Sequence, residues 1–286
     1  MQRRKFINTV VRGAVGAWGG SRLAQSAFGN TANPVSKVEN VGLQLYTVRN
    51  QLKADFDGTL AKVAAIGYKE VEFAGYYDRT PEQVKAVLEK NRLSSPSAHV
   101  QLIMMQGDWE KTVETAKSIG HRYLVLAYLL PNERKTLDDY KRLAERLNRA
   151  GEVCRKAGLQ MAYHNHNFEF EALDGEIPYD VLLKGTDAKL VKMELDLYWI
   201  VKAKQQPETY FARYPNRFRL VHVKDMDNTP KQFFTEVGRG VMDFKRLLAQ
   251  AKKAGVEHYF VEQDECPGSP LDSIQISFDY LHRLTF

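Results

Sequence analysis

From residue 41 onward, a short apolar run of strand character is followed by a segment of helical periodicity, and the pair recurs eight times. Strand patterns fall at 41–48 (VGLQLYTV), 68–74 (YKEVEFA), 95–102 (SPSAHVQL) and 123–130 (YLVLAYLL). They continue from Leu159 into His164-Asn165-His166, then at 191–197 (VKMELDL), 218–225 (FRLVHVKD) and 257–265 (EHYFVEQDE). Helical patterns follow at Asp55–Ile66, after Thr80-Pro81-Glu82, and at Trp109–Ile119, Leu137–Ala157, Pro178–Leu183, Pro207–Tyr214, Asp243–Ala254 and Leu271–Leu284. Thr80 and Asp243 have the side chains of N-caps, and Gly120, Gly158 and Gly255 stand where helices stop. Eight strand–helix units in about 245 residues predict a single (β/α)8 TIM barrel, which takes ~250 residues. A doubly wound sheet usually opens with a glycine-rich turn after its first strand. Here that strand runs into Tyr46-Thr47-Val48-Arg49. The fold class expected is therefore α/β, one closed barrel over residues 38–286.

Charge separates the barrel from what precedes it. The chain of 286 residues carries 41 basic and 35 acidic side chains, a formal net charge of +6. Residues 1–29 hold Arg3, Arg4, Lys5, Arg12 and Arg22 and no acid; without them 36 basic residues face 35 acidic ones. The body thus lacks the basic excess of a nucleic-acid-binding protein. Adjacent arginines before the modest apolar run INTVVRGAVGAWGG predict a twin-arginine export leader at 1–29 and a linker at 30–37. The protein is then expected in the periplasm or outside the cell, delivered folded by the twin-arginine export machinery. The run is too short, and too interrupted by Arg12, to make a stable membrane anchor. Cys154 and Cys266 have no spacing that points to a bridge or a metal site.

Chemistry is concentrated at the strand ends. His164 and His166 share parity, so an extended strand presents both on one face. Asp196, His222 and Glu262 follow apolar runs on the sixth, seventh and eighth strands in the same way. A barrel with parallel strands gathers such ends at one rim, where these barrels carry their active sites. A lone histidine at a strand end is commonly a satisfied structural group. Four ionisable groups at matching depth on consecutive strands predict a metal site of His164, Asp196, His222 and Glu262. Two nitrogens and two carboxylate oxygens suit Mn²⁺, Co²⁺, Zn²⁺ or Fe²⁺.

These residues, in this order, resemble the sugar phosphate isomerase/epimerase family of xylose isomerase-like barrels. The resemblance is carried by GLQLYTVR, GYKEVEFAG, HNHNFEF, ELDLYW, VHVKDMD, VGRGVMDF and VEQDE, and covers about residues 38–286. It implies that Asp196, His222 and Glu262 are metal ligands. The fifth-strand ligand of the family is usually a glutamate that doubles as a base; here His164 stands at that position. Glu262 is then the expected acid/base, with His166 or Glu72 as the second group. The implied reaction is enolisation next to a keto group, leading to isomerisation or epimerisation. The alternative is lyase or hydratase chemistry on 3-keto-glycosides, and the missing glutamate adds weight to it. His99, Lys224, Arg239, Tyr46 and Trp199 are expected to touch the sugar, with Tyr128 and Tyr198 as further aromatic walls. Two other functions fit the fold. A repair nuclease of the endonuclease-IV kind would need a basic groove, and a catalytically silent sugar-binding protein would not need the metal ligands. Small-molecule sugars are the expected partners, and the oligomeric state, a homo-oligomer included, is open.

Overall fold

A computed structural model describes residues 36–286; the expected leader and residues 30–35 of the linker lie outside the described residues. Eight parallel strands close into a barrel: β1 (Val41–Gln44), β2 (Glu70–Phe73), β3 (Ser94–Val100), β4 (Tyr123–Leu126), β5 (Gln160–His164), β6 (Val191–Asp196), β7 (Phe218–Val223) and β8 (His258–Val261). Chain order is also spatial order, and β1 seals the barrel by pairing with both β2 and β8, with Val41 opposite Tyr259 and Gly42 opposite Glu70. The predicted TIM barrel is the fold.

Alternation along each strand builds two cores. Val71 and Phe73 pack outward into the layer beneath the helices, with Leu43, Leu124 and Val221. Inside the barrel, Tyr123, Val125, Ala162, Leu220 and Phe260 form a separate apolar plug. Burying an aromatic ring of this kind contributes about 1.5–3 kcal/mol. Gly42 leaves room for the plug, since a Cβ there would lie 2.4 Å from the Phe260 ring. Strands covered on both faces read as apolar runs, which is why YLVL was legible as a strand.

Local signals set the helix ends. Thr80 caps the helix Pro81–Asn91 in a reciprocal capping box with Gln83, and Thr136 does so for Leu137–Ala157 with Asp139. Asp243 caps Phe244–Lys253. Several strands stop earlier than their apolar runs. The run 41–48 leaves the sheet at Gln44 and turns through a 3-10 segment at Leu45–Val48, because the Gln44 side chain accepts the Tyr46 N–H. The run 123–130 ends at Leu126, and Tyr128 and Leu130 become exposed loop residues. Past β7, Asp225–Met226 pairs antiparallel with Phe234–Thr235. Cys154 and Cys266 are free thiols. No helix among the described residues is long and apolar enough to cross a membrane.

Candidate metal centre and active site

Register puts the strand-end residues at one depth. Pairing of β5 with β6 sets His164 opposite Glu194, and pairing of β6 with β7 sets Asp196 opposite His222. His222 is also opposite Phe260, two residues before Glu262. The lumen is therefore layered. Glu70 and His258 meet at the bottom, 2.8 Å apart. The apolar plug lies above them, and a polar layer sits at the mouth.

In that layer one donor atom from each of His164, Asp196, His222 and Glu262 lies within 4.8 Å of the others. His99, His164, Glu194 and His222 form a second set that meets the same limit. His222 links them: its Nδ1 is 2.8 Å from Glu262 Oε2, and its Nε2 is 2.8 Å from Glu72 Oε2 and 3.2 Å from Glu194 Oε2. His99 Nε2 lies 2.7 Å from Glu194 Oε2, and His164 Nδ1 lies 3.0 Å from it. Gln44 donates to Glu72 Oε2 at 2.7 Å. Lys224, fully buried, reaches Asp264 at 2.6 Å, Glu262 at 2.8 Å and Asp196 at 3.2 Å.

The donor set fits a divalent cation. Glu72 Oε1, Glu194 Oε1 and Asp196 Oδ2 are buried and accept no hydrogen bond, although Lys224 Nζ stands 3.2 Å from the last. Unsatisfied buried carboxylate oxygens are costly, and a cation among them removes that cost. Burial, with His222 close by, lowers the His164 pKa, so this imidazole is neutral as a ligand must be; burial opposes charge on His222 too, but Glu194 and Glu262 outweigh it and raise its pKa, so an ion there would displace a proton from His222. Burial raises the Asp196 carboxyl to about 6, against the pull of Lys224 and His222. Burial opposes charge on His99, yet Glu72 and Glu194 outweigh it and raise its pKa to about 10.

Above the cluster opens a cavity of about 390 Å³, lined by Tyr46, His99, Gln101, Tyr128, His164, His166, Glu262 and Asp264 among others. The predicted residues Tyr46, His99, His164, His166 and Glu262 thus share one space. Glu72 and Lys224 are not in that lining; both are fully buried among the side chains of the polar layer. Trp199 stands behind His166, ring centroids 5.4 Å apart. Arg239 is elsewhere: its side chain is 59% exposed, and its ion-pair partner among the described residues is Glu236, at 4.0 Å. The glycine turn around Arg239, a residue expected to touch the sugar, wraps a carboxylate of the chain itself. Asp225 accepts from the N–H groups of Met226, Gly238, Gly240 and Met242.

Three contributors were missed in the sequence. Glu194 has the parity of Asp196, and Asp264 that of Glu262; both signals were present and unused. Glu169, the acid of HNHNFEF, is fully buried and accepts from Tyr163 Oη at 2.6 Å and from the His166 N–H at 2.8 Å. Burial raises its carboxyl to about 7. It ties the loop that carries His166. That imidazole is pushed down to about 3 by burial and by Lys224, and its buried Nδ1 has no hydrogen-bond partner.

The sequence pattern described as the xylose isomerase-like TIM barrel matches residues 60–284. The chain belongs to that family. An inosose dehydratase from Lacticaseibacillus casei is 25% identical over 256 residues, covering 76% of this chain and 85% of the dehydratase. A sugar phosphate isomerase/epimerase from Parabacteroides distasonis, known as a crystal structure, is 26% identical with a TM-score of 0.76. That match covers 86% of this chain and 98% of the other. The crystal structure of IOLI protein with a bound zinc atom shares the fold at 14% identity and a TM-score of 0.67, covering 84% of this chain and 95% of that one. This xylose isomerase-like barrel is thus a member of an enzyme family, as the motifs implied.

Proposed function

We propose that the barrel is a divalent-metal-dependent lyase or hydratase that acts on a keto sugar by enolisation next to the carbonyl. The observation that carries this reading is the four-donor cluster of His164, Asp196, His222 and Glu262 at the floor of the cavity. These four residues would hold the ion, which when bound supplies Lewis-acid polarisation of a carbonyl and its neighbouring hydroxyl. Glu262, in the lining, takes the proton from the carbon beside the carbonyl. His166, neutral and held through its backbone by Glu169, donates a ring N–H hydrogen bond to the oxygen that departs from the next carbon, and the proton which that oxygen takes up comes from solvent. Tyr46 and Tyr128 flank the sugar, and Lys224 keeps Glu262 ionised and holds Glu262 and Asp264 in place.

Elimination is favoured over epimerisation by the base inventory. Epimerisation needs a proton carrier on each face of the substrate. The strand-five position holds an imidazole, and Glu72 is sequestered under Gln44 and His222. Similarity to a dehydratase supports the same choice. A second reading, isomerase or epimerase with His166 as the other base, is supported by the Parabacteroides relative.

The test is deuterium uptake in D₂O by the zinc- or manganese-loaded protein with a panel of keto sugars and 3-keto-glycosides. Exchange with release of water or alcohol is expected. Exchange that yields only an epimer would move the assignment to the second reading, and no exchange across the panel would remove enolisation. In the same reading residues 1–29 direct export; the pair Arg3→Lys and Arg4→Lys should hold the protein in the cytoplasm on cell fractionation.

A further inference from the structure

Within the polar layer, Glu72, His99 and Glu194, on β2, β3 and β6, have no part in the proposed reaction. Imidazole nitrogens surround both carboxylates. Glu194 Oε2 lies 2.7 Å from His99 Nε2, 3.0 Å from His164 Nδ1 and 3.2 Å from His222 Nε2. Glu72 Oε2 lies 2.8 Å from His222 Nε2 and 3.2 Å from His99 Nε2. A single carboxyl proton serves only one of these nitrogens. An ionised carboxylate accepts from all of them, so the nitrogens facing Glu72 and Glu194 are those that carry hydrogen.

An imidazole that serves as a ligand is neutral, with one N–H and one lone pair. In His164 the hydrogen is then on Nδ1, and the lone pair is on Nε2, 3.8 Å from Asp196 Oδ2. In His222 the hydrogen is on Nε2, and the lone pair is on Nδ1, 2.8 Å from Glu262 Oε2 and 4.0 Å from Asp196 Oδ2. Both lone pairs thus face the carboxylates of the set His164, Asp196, His222 and Glu262. The other set, His99, His164, Glu194 and His222, meets the same distance limit. An ion there would take the nitrogens that face Glu194, namely His164 Nδ1 and His222 Nε2. With the first ion in place, both rings would have to give up their last hydrogen. The two sets are therefore one metal site and its support.

We infer that Glu194 and Glu72 position the metal centre: Glu194 takes the Nδ1–H of His164, Glu72 takes the Nε2–H of His222, and His99 bridges the two carboxylates. The inference rests on the metal site of the proposed function and not on which keto-sugar reaction follows. Partners of this kind turn the other ring nitrogen toward the ion, and losing one typically costs 10–100-fold in metal affinity. Glu72, expected from the sequence as a second base, is then spent on orientation. Gln44 holds it there, donating from Nε2 at 2.7 Å. The same amide accepts the Tyr46 N–H at 3.0 Å, so the turn that brings Tyr46 to the cavity is tied to that carboxylate.

Titration of the full-length protein with Zn²⁺ and Co²⁺ against a chromophoric chelator tests this without turnover. One ion per chain is expected in the parent. Glu194→Gln and Glu72→Gln should each still bind one ion, with Kd raised about 10–100-fold. The absorption bands of bound Co²⁺ should shift in both, because misaligned imidazoles change its ligand field. Histidine nitrogen-15 NMR of the zinc-loaded parent should show hydrogen on Nδ1 of His164 and on Nε2 of His222. Circular dichroism of the metal-free variants separates lost folding from lost alignment; where a variant does not fold, the parent's tautomers decide. Two ions in the parent, one of them lost in Glu194→Gln, would overturn the inference and make the second set a metal site of its own. Unchanged affinity and spectra in both variants, or the opposite tautomers, would also overturn it while leaving the metal site standing. A parent that binds no ion would remove the metal reading itself.

Discussion

Glu262 Oε2 lies 2.8 Å from both His222 Nδ1 and Lys224 Nζ, so one carboxylate serves a candidate metal site and an ammonium at once. Burial opposes its charge, and Lys224 and His222 outweigh that to hold its pKa well below the usual carboxylate range. Glu262→Gln keeps the size and removes the charge. We expect deuterium exchange to fall by about 10²–10⁴, the usual share of a positioned acid/base. Unaltered exchange in that variant would end its candidacy. His121 gives a second residue-scale prediction. Burial lowers its pKa to about 4, from 6.5 for the free side chain. The unfolded chain then binds more protons between these values, so this contribution to stability is complete above about pH 6.5 and is lost as pH falls toward about 4. It is on the order of 3 kcal/mol. Urea unfolding of His121→Gln should show a weaker loss of stability over that window than the parent protein; equal slopes would refute the assignment.

At the scale of elements, the loop after β7, expected to bind a ligand, is a structural clasp. Four backbone N–H groups converge on Asp225, which burial nonetheless leaves with a raised pKa. Gly240 permits the approach, because a Cβ there would lie 2.2 Å from the Met226 carbonyl oxygen and 2.3 Å from Asp225 Oδ1. Gly240→Ala is expected to cost about 1–3 kcal/mol by forcing these groups apart. For a domain of this size that lowers Tm by roughly 2–4 °C per kcal/mol, readable by calorimetry. Strands and helices were otherwise legible because each depends on its own neighbours in sequence. The helix Leu137–Ala157 matches its expected bounds, since Thr136, the apolar stripe and Gly158 all act locally. Strand ends were less legible. Leaving the ladder at Gln44 or Leu126 depends on what the barrel mouth offers in place of a partner strand.

For the whole molecule, the candidate metal centre joins parts of the chain far apart in sequence, from His164 to Glu262. An ion held there should stabilise the closed barrel by mass action. At a free zinc concentration about 100 times its Kd the gain is about 2.7 kcal/mol. Thermal unfolding with and without zinc should reveal the rise in Tm. Asp196→Ala and His222→Ala should each lose both the rise and most of the bound metal on elemental analysis. Full occupancy in both variants would remove them as ligands.

The residues alone determined the unit and its repetition. Period-two and period-3.6 patterns, caps and glycine stops are local, so eight strand–helix units, the barrel class and the strand-end positions of His164, Asp196, His222 and Glu262 could be read directly. Tertiary structure decided depth and company. Only closure with its particular register sets Glu194 opposite His164, brings Glu72 and His99 across the lumen to His222, and withdraws Glu72 from the cavity. Only folding of the β5 loop shows that Glu169 is spent on His166, and only the packed turn shows its N–H groups taken by Asp225. These outcomes rest on distances between strands that no spacing along the chain encodes, because a barrel's interior contacts are set by shear and closure and not by sequence separation.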